Sequence, residues 1–332
     1  MFKGVTFGFY ARNGYFSSPV GLAEARKIVD LGTKWVCLVS TVLQDAYYST
    51  RQYRDFRITP GDHELVSTIK FFRENGVKVM LRPMIECWDG GQRCDIMFPD
   101  DREVIPGKRR HYVADWFESY ADLTRHYGRM AEETGCESYG LDSELNNLMG
   151  YNDEWLKVIQ VARSVYGGHL TTSLISTERH LGIFDQFPEN CWFWALDSIG
   201  TSMYAPAADR AGTSVDEMAA FLKPSVEKCR QFAERYGKMF YFGEAGCCAT
   251  AGAAKLPYFW KNGGGYDGEE QARYMAALIK AFGAESWWEG MFWWKWEEQN
   301  DRPQFRDDPA GDKGFTIDGK PAATVFANWC RA

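Results

Sequence analysis

The chain has 332 residues, 45% of them hydrophobic, and carries a formal net charge of −7 at pH 7. Its length suits one large domain, since α/β barrels routinely run beyond about 250 residues. The acidic balance argues against nucleic acid or an anionic membrane as a partner, because phosphate binding needs a basic surface, and no apolar stretch is long enough to span a bilayer.

Strand-like and helix-like segments alternate along the whole chain. The sequence predicts strands at 4–9, 35–39, 77–82, 139–144, 170–175, 198–204, 240–244 and 290–296. It predicts helices at 21–31, 63–74, 115–134, 153–166, 214–236, 269–282 and 322–330, with Pro224 breaking or kinking the fifth. Long loops, 45–60 and 83–108, follow the second and third strands.

This order predicts an α/β fold, a (β/α)8 TIM barrel, as a single domain over residues 1–332. A doubly wound open sheet is the competing architecture. Such a sheet normally has a Gly-rich nucleotide-binding turn after its first strand, and this chain has none there.

Two glutamates stand at the ends of predicted strands, Glu144 at the fourth and Glu244 at the seventh. In a parallel barrel the C-terminal strand ends converge on one pocket. Two carboxylates in such a pocket are what glycoside hydrolysis requires, one as proton donor and the other as nucleophile or base. Each Glu alone is equally well explained as a surface residue in an ion pair, but their matching contexts favour a shared site.

Other strand ends bring side chains of the kinds that bind sugars, namely aromatic rings, hydroxyls, amides and a guanidinium. The candidate substrate-binding residues are Arg82, Trp88, Ser143, Asn146, Tyr204, Trp294 and Trp296. Arg82 is also interpretable as a structural ion-pair partner, and Asn146 as a turn or cap residue. Because alternate strand residues face opposite ways, Trp294 and Trp296 are expected to face the site together, with Trp293 facing out. Tyr204 is expected to hydrogen-bond to Glu244 and keep it ionised.

The nine cysteines form no C-x-x-C pair, and the five histidines show no metal-binding spacing. We therefore expect reduced thiols and no catalytic metal, with a vicinal disulfide or a metal at Cys247 and Cys248 as an alternative. No secretory signal precedes the first strand, which favours a cytoplasmic protein acting on an imported oligosaccharide.

Five segments resemble clan A glycoside hydrolases, and most of all family 113, the β-mannanase-type barrels. They are 140–145 followed by Trp155 and Arg163, 193–200 with Tyr204, 242–246, 290–296 and 319–322. The resemblance implies a barrel without a cofactor, retention of anomeric configuration and β-mannoside substrates. It also implies that Glu144 is the acid/base and Glu244 the nucleophile.

Ser143 departs from this pattern, because many clan A enzymes carry Asn immediately before the acid/base, where it meets the sugar 2-hydroxyl. The sugar therefore stays open, with a β-glucoside, a β-galactoside or an acidic sugar as alternatives to a β-mannoside. Two alternative hypotheses for the function are a sugar-binding barrel that has lost catalysis and a barrel aldolase with Lys295 as a Schiff-base lysine.

Overall fold

A computed structural model describes residues 1–177, 184–185, 187–261 and 263–332. In chain order its strands are β1 (Phe2–Phe7), β2 (Trp35–Gln44), β3 (Gln52–Tyr53), β4 (Lys78–Cys87), β5 (Arg102–Ile105), β6 (Lys108–Arg110), β7 (Ser138–Gly140), β8 (His169–Thr177), β9 (Ser198–Tyr204), β10 (Met239–Ala245) and β11 (Trp288–Trp293). Eight of them pair in parallel in the order β1-β2-β4-β7-β8-β9-β10-β11, and β11 pairs back to β1. The predicted (β/α)8 barrel is therefore confirmed.

The helices that surround the barrel are α1 (Pro19–Asp30), α2 (Asp62–Glu74), α3 (Tyr112–Thr134), α4 (Asn152–Val165), α5 (Val215–Phe221), α6 (Lys223–Tyr236), α7 (Gly268–Phe282) and α8 (Pro321–Arg331). The helical segment predicted at 214–236 is divided into α5 and α6, which confirms the break expected near Pro224. Pro224 lies in the first turn of α6, where its missing N–H removes no hydrogen bond. None of the helices in the described ranges is long and apolar enough to cross a membrane.

Most of the aromatic residues are structural. Trp116, Trp155 and Trp192 are fully buried between strands and helices, and the rings of Trp155 and Trp192 stack 4.8 Å apart. A second apolar cluster includes Phe2, Tyr241 and Phe292. Because most aromatic rings pack inside the protein, the high aromatic content is by itself weak evidence for a sugar site.

Several strand ends differ from the sequence-based prediction, and β2, predicted to end at 39, continues to Gln44. β4 continues to Cys87 and is followed by a hairpin of β5 and β6, where an irregular loop was predicted. β7 ends at Gly140, but the backbone N–H groups of Leu141 and Glu144 still donate to carbonyls of β8. β11 ends at Trp293, three residues before the predicted end of the eighth strand.

Candidate active site

Glu244 lies at the C-terminal end of β10 and is almost fully buried. The Tyr204 hydroxyl donates to Glu244 Oε2 at 2.9 Å, as expected from the sequence, and the Ser143 hydroxyl donates to Oε1 at 3.3 Å. Burial raises the pKa of Tyr204 well above its usual value, and the neighbouring Glu244 adds to this. Tyr204 therefore stays a hydrogen-bond donor to the carboxylate at all physiological pH values.

A bulge in β10 positions Glu244. The register between β10 and β9 shifts between Phe242 and Glu244, so that Gly243 is an extra residue. A Cβ at Gly243 would overlap the Ser173 side chain on β8, so only glycine fits at this point. The bulge at Gly243 turns the Glu244 side chain toward the barrel interior. There it lies beside Ser143 and Tyr204.

Glu144 has a left-handed backbone conformation, with φ of 59°, which is uncommon for a residue other than glycine. Its N–H donates to the Ser173 carbonyl at 2.7 Å, so the chain stays attached to β8 after β7 has ended. The side chain is only 13% exposed. This turn places the carboxylate at the same end of the barrel as Glu244.

Arg93 links Glu144 to a third carboxylate. From a short 3₁₀ helix in the loop after β4, its guanidinium contacts Glu144 Oε2 at 3.1 Å and Glu86 Oε1 at 2.5 Å. It also donates to the Ile85 carbonyl and lies 5.3 Å from the centre of the Phe9 ring. Arg93 is not predictable from the sequence, since a lone arginine in a long loop carries no recognisable signal.

The pKa of Glu244 is raised, firstly by its burial and secondly by the nearby Glu144 carboxylate. Three groups act in the opposite direction, namely the guanidinium groups of Arg93 and Arg82 and the hydrogen bond from Tyr204. The two cations and the Tyr204 hydroxyl thus supply the stabilisation that an ionised Glu244 needs at this buried position.

Arg82 is fully buried inside the barrel. Its guanidinium donates to the Gly243 carbonyl at 3.2 Å and to the Tyr241 hydroxyl at 3.1 Å. These contacts show Arg82 supporting β10, the strand that carries Glu244, and its contact with substrate stays a prediction. Its hydrogen-bond partners are neutral, and its charge acts on Glu244 through space.

The two tryptophans expected to face the site together lie in different places. Trp294 is half-buried beside Phe9, with ring centres 5.0 Å apart, and its backbone N–H donates to the carbonyl of Ala245. Trp296 is buried in the main core, and its indole N–H donates to Glu24 on α1 at 2.9 Å. The prediction for Trp296 is wrong because β11 ends at Trp293, so strand alternation no longer applies. Trp293 does face outward, as expected, where its indole N–H donates to the Phe315 carbonyl.

Asn146 and Trp88 lie on loops at the same end of the barrel. Asn146 accepts from the Ile175 N–H at 2.8 Å, so its amide fastens the loop after Glu144 to β8. This matches its interpretation as a turn residue, and its contact with substrate stays a prediction. Trp88 follows β4 and is 62% exposed, which leaves its ring free to contact a ligand.

Lys295 belongs to a buried charged cluster rather than to a nucleophilic site. Its ammonium group pairs with Glu298 and lies 3.5 Å from Glu297. Burial lowers the pKa of Lys295, but the two carboxylates together raise it above its usual value. A Schiff-base lysine needs a lowered pKa, so this geometry argues against the aldolase alternative.

All nine cysteines are free thiols, which excludes the vicinal disulfide at Cys247 and Cys248 in this structure. Within the described ranges, no group of three or more His, Cys, Asp or Glu side chains is placed to hold a metal ion.

A parallel barrel with two glutamates at the ends of β10 and of the segment after β7 has the architecture of a glycoside hydrolase. Residues 5–320 match the model of Glycoside Hydrolase Family 113, and the chain belongs to that family. A search of curated protein sequences finds no match.

Solved structures agree with this assignment. The chain is 28% identical to a GH113 β-1,4-mannanase, with a TM-score of 0.84 over 100% of this chain and 99% of that one. It is 27% identical to the GH113 β-mannanase AaManA from Alicyclobacillus acidocaldarius in complex with ManMIm, with a TM-score of 0.83 over 99% and 97% of the two chains. A β-glucuronidase from Ruminococcus gnavus shares the fold alone, at 16% identity and a TM-score of 0.57 over 93% of this chain and 46% of that one.

Proposed function

We propose that this glycoside hydrolase cleaves β-mannosidic linkages in mannan-type oligosaccharides by double displacement with retention. One observation carries the proposal: Glu244 is held by Tyr204 and Ser143, while Glu144 stands at the same barrel end in contact with Arg93. The two structural neighbours described as β-mannanases support the choice of sugar.

The reaction proceeds in two steps. In the first, the Glu244 carboxylate attacks the anomeric carbon while Glu144 gives its proton to the departing glycosidic oxygen, which leaves a glycosyl-enzyme ester. In the second, Glu144 takes a proton from water, the water oxygen attacks the anomeric carbon, and the Glu244 carboxylate departs. The product keeps the anomeric configuration of the substrate because the carbon is inverted twice.

The hydrogen bonds favour Glu244 as the nucleophile. Tyr204 and Ser143 both donate to it, and donors stabilise the charged form of a carboxylate. This ionised form is the one that attacks the anomeric carbon. Retaining enzymes have their two carboxyl groups roughly 5–5.5 Å apart, and this separation is expected for Glu144 and Glu244 in the substrate complex.

Two variants test the assignment of roles. Glu244→Ala should lose activity on every substrate, since no glycosyl-enzyme can form. Glu144→Ala should lose activity on mannooligosaccharides but keep it on an aryl β-mannoside with a good leaving group, which needs little protonation. Glu118→Gln, at an exposed position on α3, is the matched control and should behave as wild type.

The measurements are initial rates for both substrates and the anomeric form of the first product by proton NMR. Equal losses for the aryl mannoside in both variants would contradict the roles, and an inverted first product would contradict retention. Aryl β-glucoside, β-galactoside and β-glucuronide are included in the screen, and faster turnover of any of them would replace the β-mannoside as the proposed substrate.

We also propose that the protein works in the cytoplasm on imported short oligosaccharides. The nine free thiols, eight of them buried, support a reducing compartment. Fractionation of the native cells tests this location, and recovery of the protein outside the cytoplasm would contradict it.

A further inference from the structure

A cavity of about 870 Å³ lies between the two long loops at the C-terminal end of the barrel. One wall comes from the segment after β2 and from β3, with Tyr48, Arg51 and Tyr53. The opposite wall comes from the hairpin, with Lys108 and Arg110 on β6. Neither glutamate of the catalytic pair lines this cavity.

The walls of the cavity are positively charged, although the chain as a whole has a net charge of −7. Its lining contains three cations and one carboxylate, that of Asp45, which already accepts a hydrogen bond from the Tyr53 hydroxyl at 2.8 Å. Among the described residues, Arg51 and Lys108 form no ion pair, whereas Arg110 has a long contact of 3.8 Å with Asp115. Arg51 and Lys108 thus line the same cavity without an ion-pair partner among the described residues.

This cavity is close to the catalytic pair. Asp45 follows Gln44, the last residue of β2, and Gln44 is in register with Cys87 on β4. The residue before Cys87 is Glu86, which Arg93 links to Glu144. Since β4 alone separates β2 from β7, these two strands run roughly 10 Å apart. β7 ends level with Arg82 and β2 ends level with Cys87, so the end of β2 stands five residues, or roughly 16 Å, farther out along the barrel. An oligosaccharide of a few residues can span both places.

We propose that the cavity binds an anionic substituent, a carboxylate or a phosphate, on an oligosaccharide whose scissile bond lies between Glu144 and Glu244. Guanidinium and ammonium groups bind both anions by charge-assisted hydrogen bonds. The tyrosines add ring faces against which a sugar ring can stack. The inference rests on the proposed function for the position of the scissile bond, but the charge of the cavity is independent of it.

The test compares three substrates: β-1,4-mannotriose, the same trisaccharide with a terminal 6-carboxylate, and the same trisaccharide with a terminal 6-phosphate. Wild type should show a higher kcat/KM for at least one charged form at about 0.05 M salt, with most of the preference lost at about 0.5 M salt. The double variant Arg51→Gln, Lys108→Gln should lose the preference, by up to about fivefold for each cation, and keep its rate on neutral mannotriose. The larger of the two preferences identifies the anion.

The control is Lys70→Gln, Arg129→Gln, which removes the same charge from exposed positions on α2 and α3. It should keep the preference of wild type. Hydrolysis of neutral mannotriose with no preference for either charged form overturns this inference and leaves the proposed function standing.

Titration calorimetry with the charged trisaccharides covers the case in which the protein hydrolyses no mannoside. If wild type then binds these trisaccharides and the Arg51, Lys108 double variant binds them more weakly, the proposed function is overturned and the cavity assignment is supported. An equal loss of binding in the Lys70, Arg129 control attributes the effect to overall charge and overturns the inference.

Discussion

Replacing Arg93 should move the pH dependence of the enzyme to higher pH. Its guanidinium contacts Glu144 at 3.1 Å and is among the charges that lower the pKa of Glu244. Without this cation Glu244 loses a stabilising charge, so its carboxylate takes up a proton at higher pH. Activity needs an ionised nucleophile, and the acidic limb of the profile therefore shifts upward in Arg93→Gln.

The size of the shift follows from the loss of one nearby cation. An opposite charge close to a carboxylate lowers its pKa by about 1–3 units, and Arg93 acts on Glu244 through space rather than through a hydrogen bond, so the lower part of that range applies. Arg93 is only 13% exposed, so solvent screens the interaction weakly. We expect the acidic limb to move up by about one to two pH units.

The assay is kcat/KM for a mannooligosaccharide as a function of pH, because this parameter reports the ionisations of the free enzyme. Arg93→Lys keeps the charge and should restore part of the shift. Arg57→Gln, which removes an exposed arginine paired with Asp55, is the control and should leave the profile unchanged. An unshifted acidic limb in a folded Arg93→Gln variant would refute the reasoning.

Three further predictions concern single side chains. Tyr204→Phe should lower kcat roughly 10²-fold, the usual effect of losing one preorganised donor, with the melting temperature almost unchanged. A wild-type kcat would show that its bond to Glu244 is not used. Burial raises the pKa of Asp142 to about 7, so the folded state holds a proton there that the unfolded state releases, and stability falls as pH rises from about 4 to 7. Asp142→Asn should remove about 2–3 kcal/mol of that fall between pH 5 and 7, measured by urea denaturation, and a slope as steep as wild type would contradict the prediction. Trp296→Ala should destabilise the protein by about 3–5 kcal/mol, whereas Trp294→Ala should mainly raise KM, and the reverse pattern in melting curves and kinetics would place Trp296 at the site.

The sequence was sufficient to predict the barrel and the position of both glutamates because parallel strands give a repeated signal and their ends share one face. Tyr204 was predictable for the same reason, since β9 and β10 are neighbours in the chain and in the sheet. Trp296 was not, because the chain leaves the sheet at Trp293 and strand alternation ends there. Arg93 depends on how a long loop folds back over the strand ends, and no local pattern encodes that contact.

The backbone of Glu144 is relevant to how this protein trades stability against activity. A left-handed conformation costs a residue with a side chain about 1–2 kcal/mol, and glycine avoids most of that cost. Glu144→Gly should therefore be more stable than Glu144→Ala, although both lack the carboxylate. Selection for stability alone would favour glycine at this position, so an acidic side chain held there against the backbone preference indicates selection for chemistry.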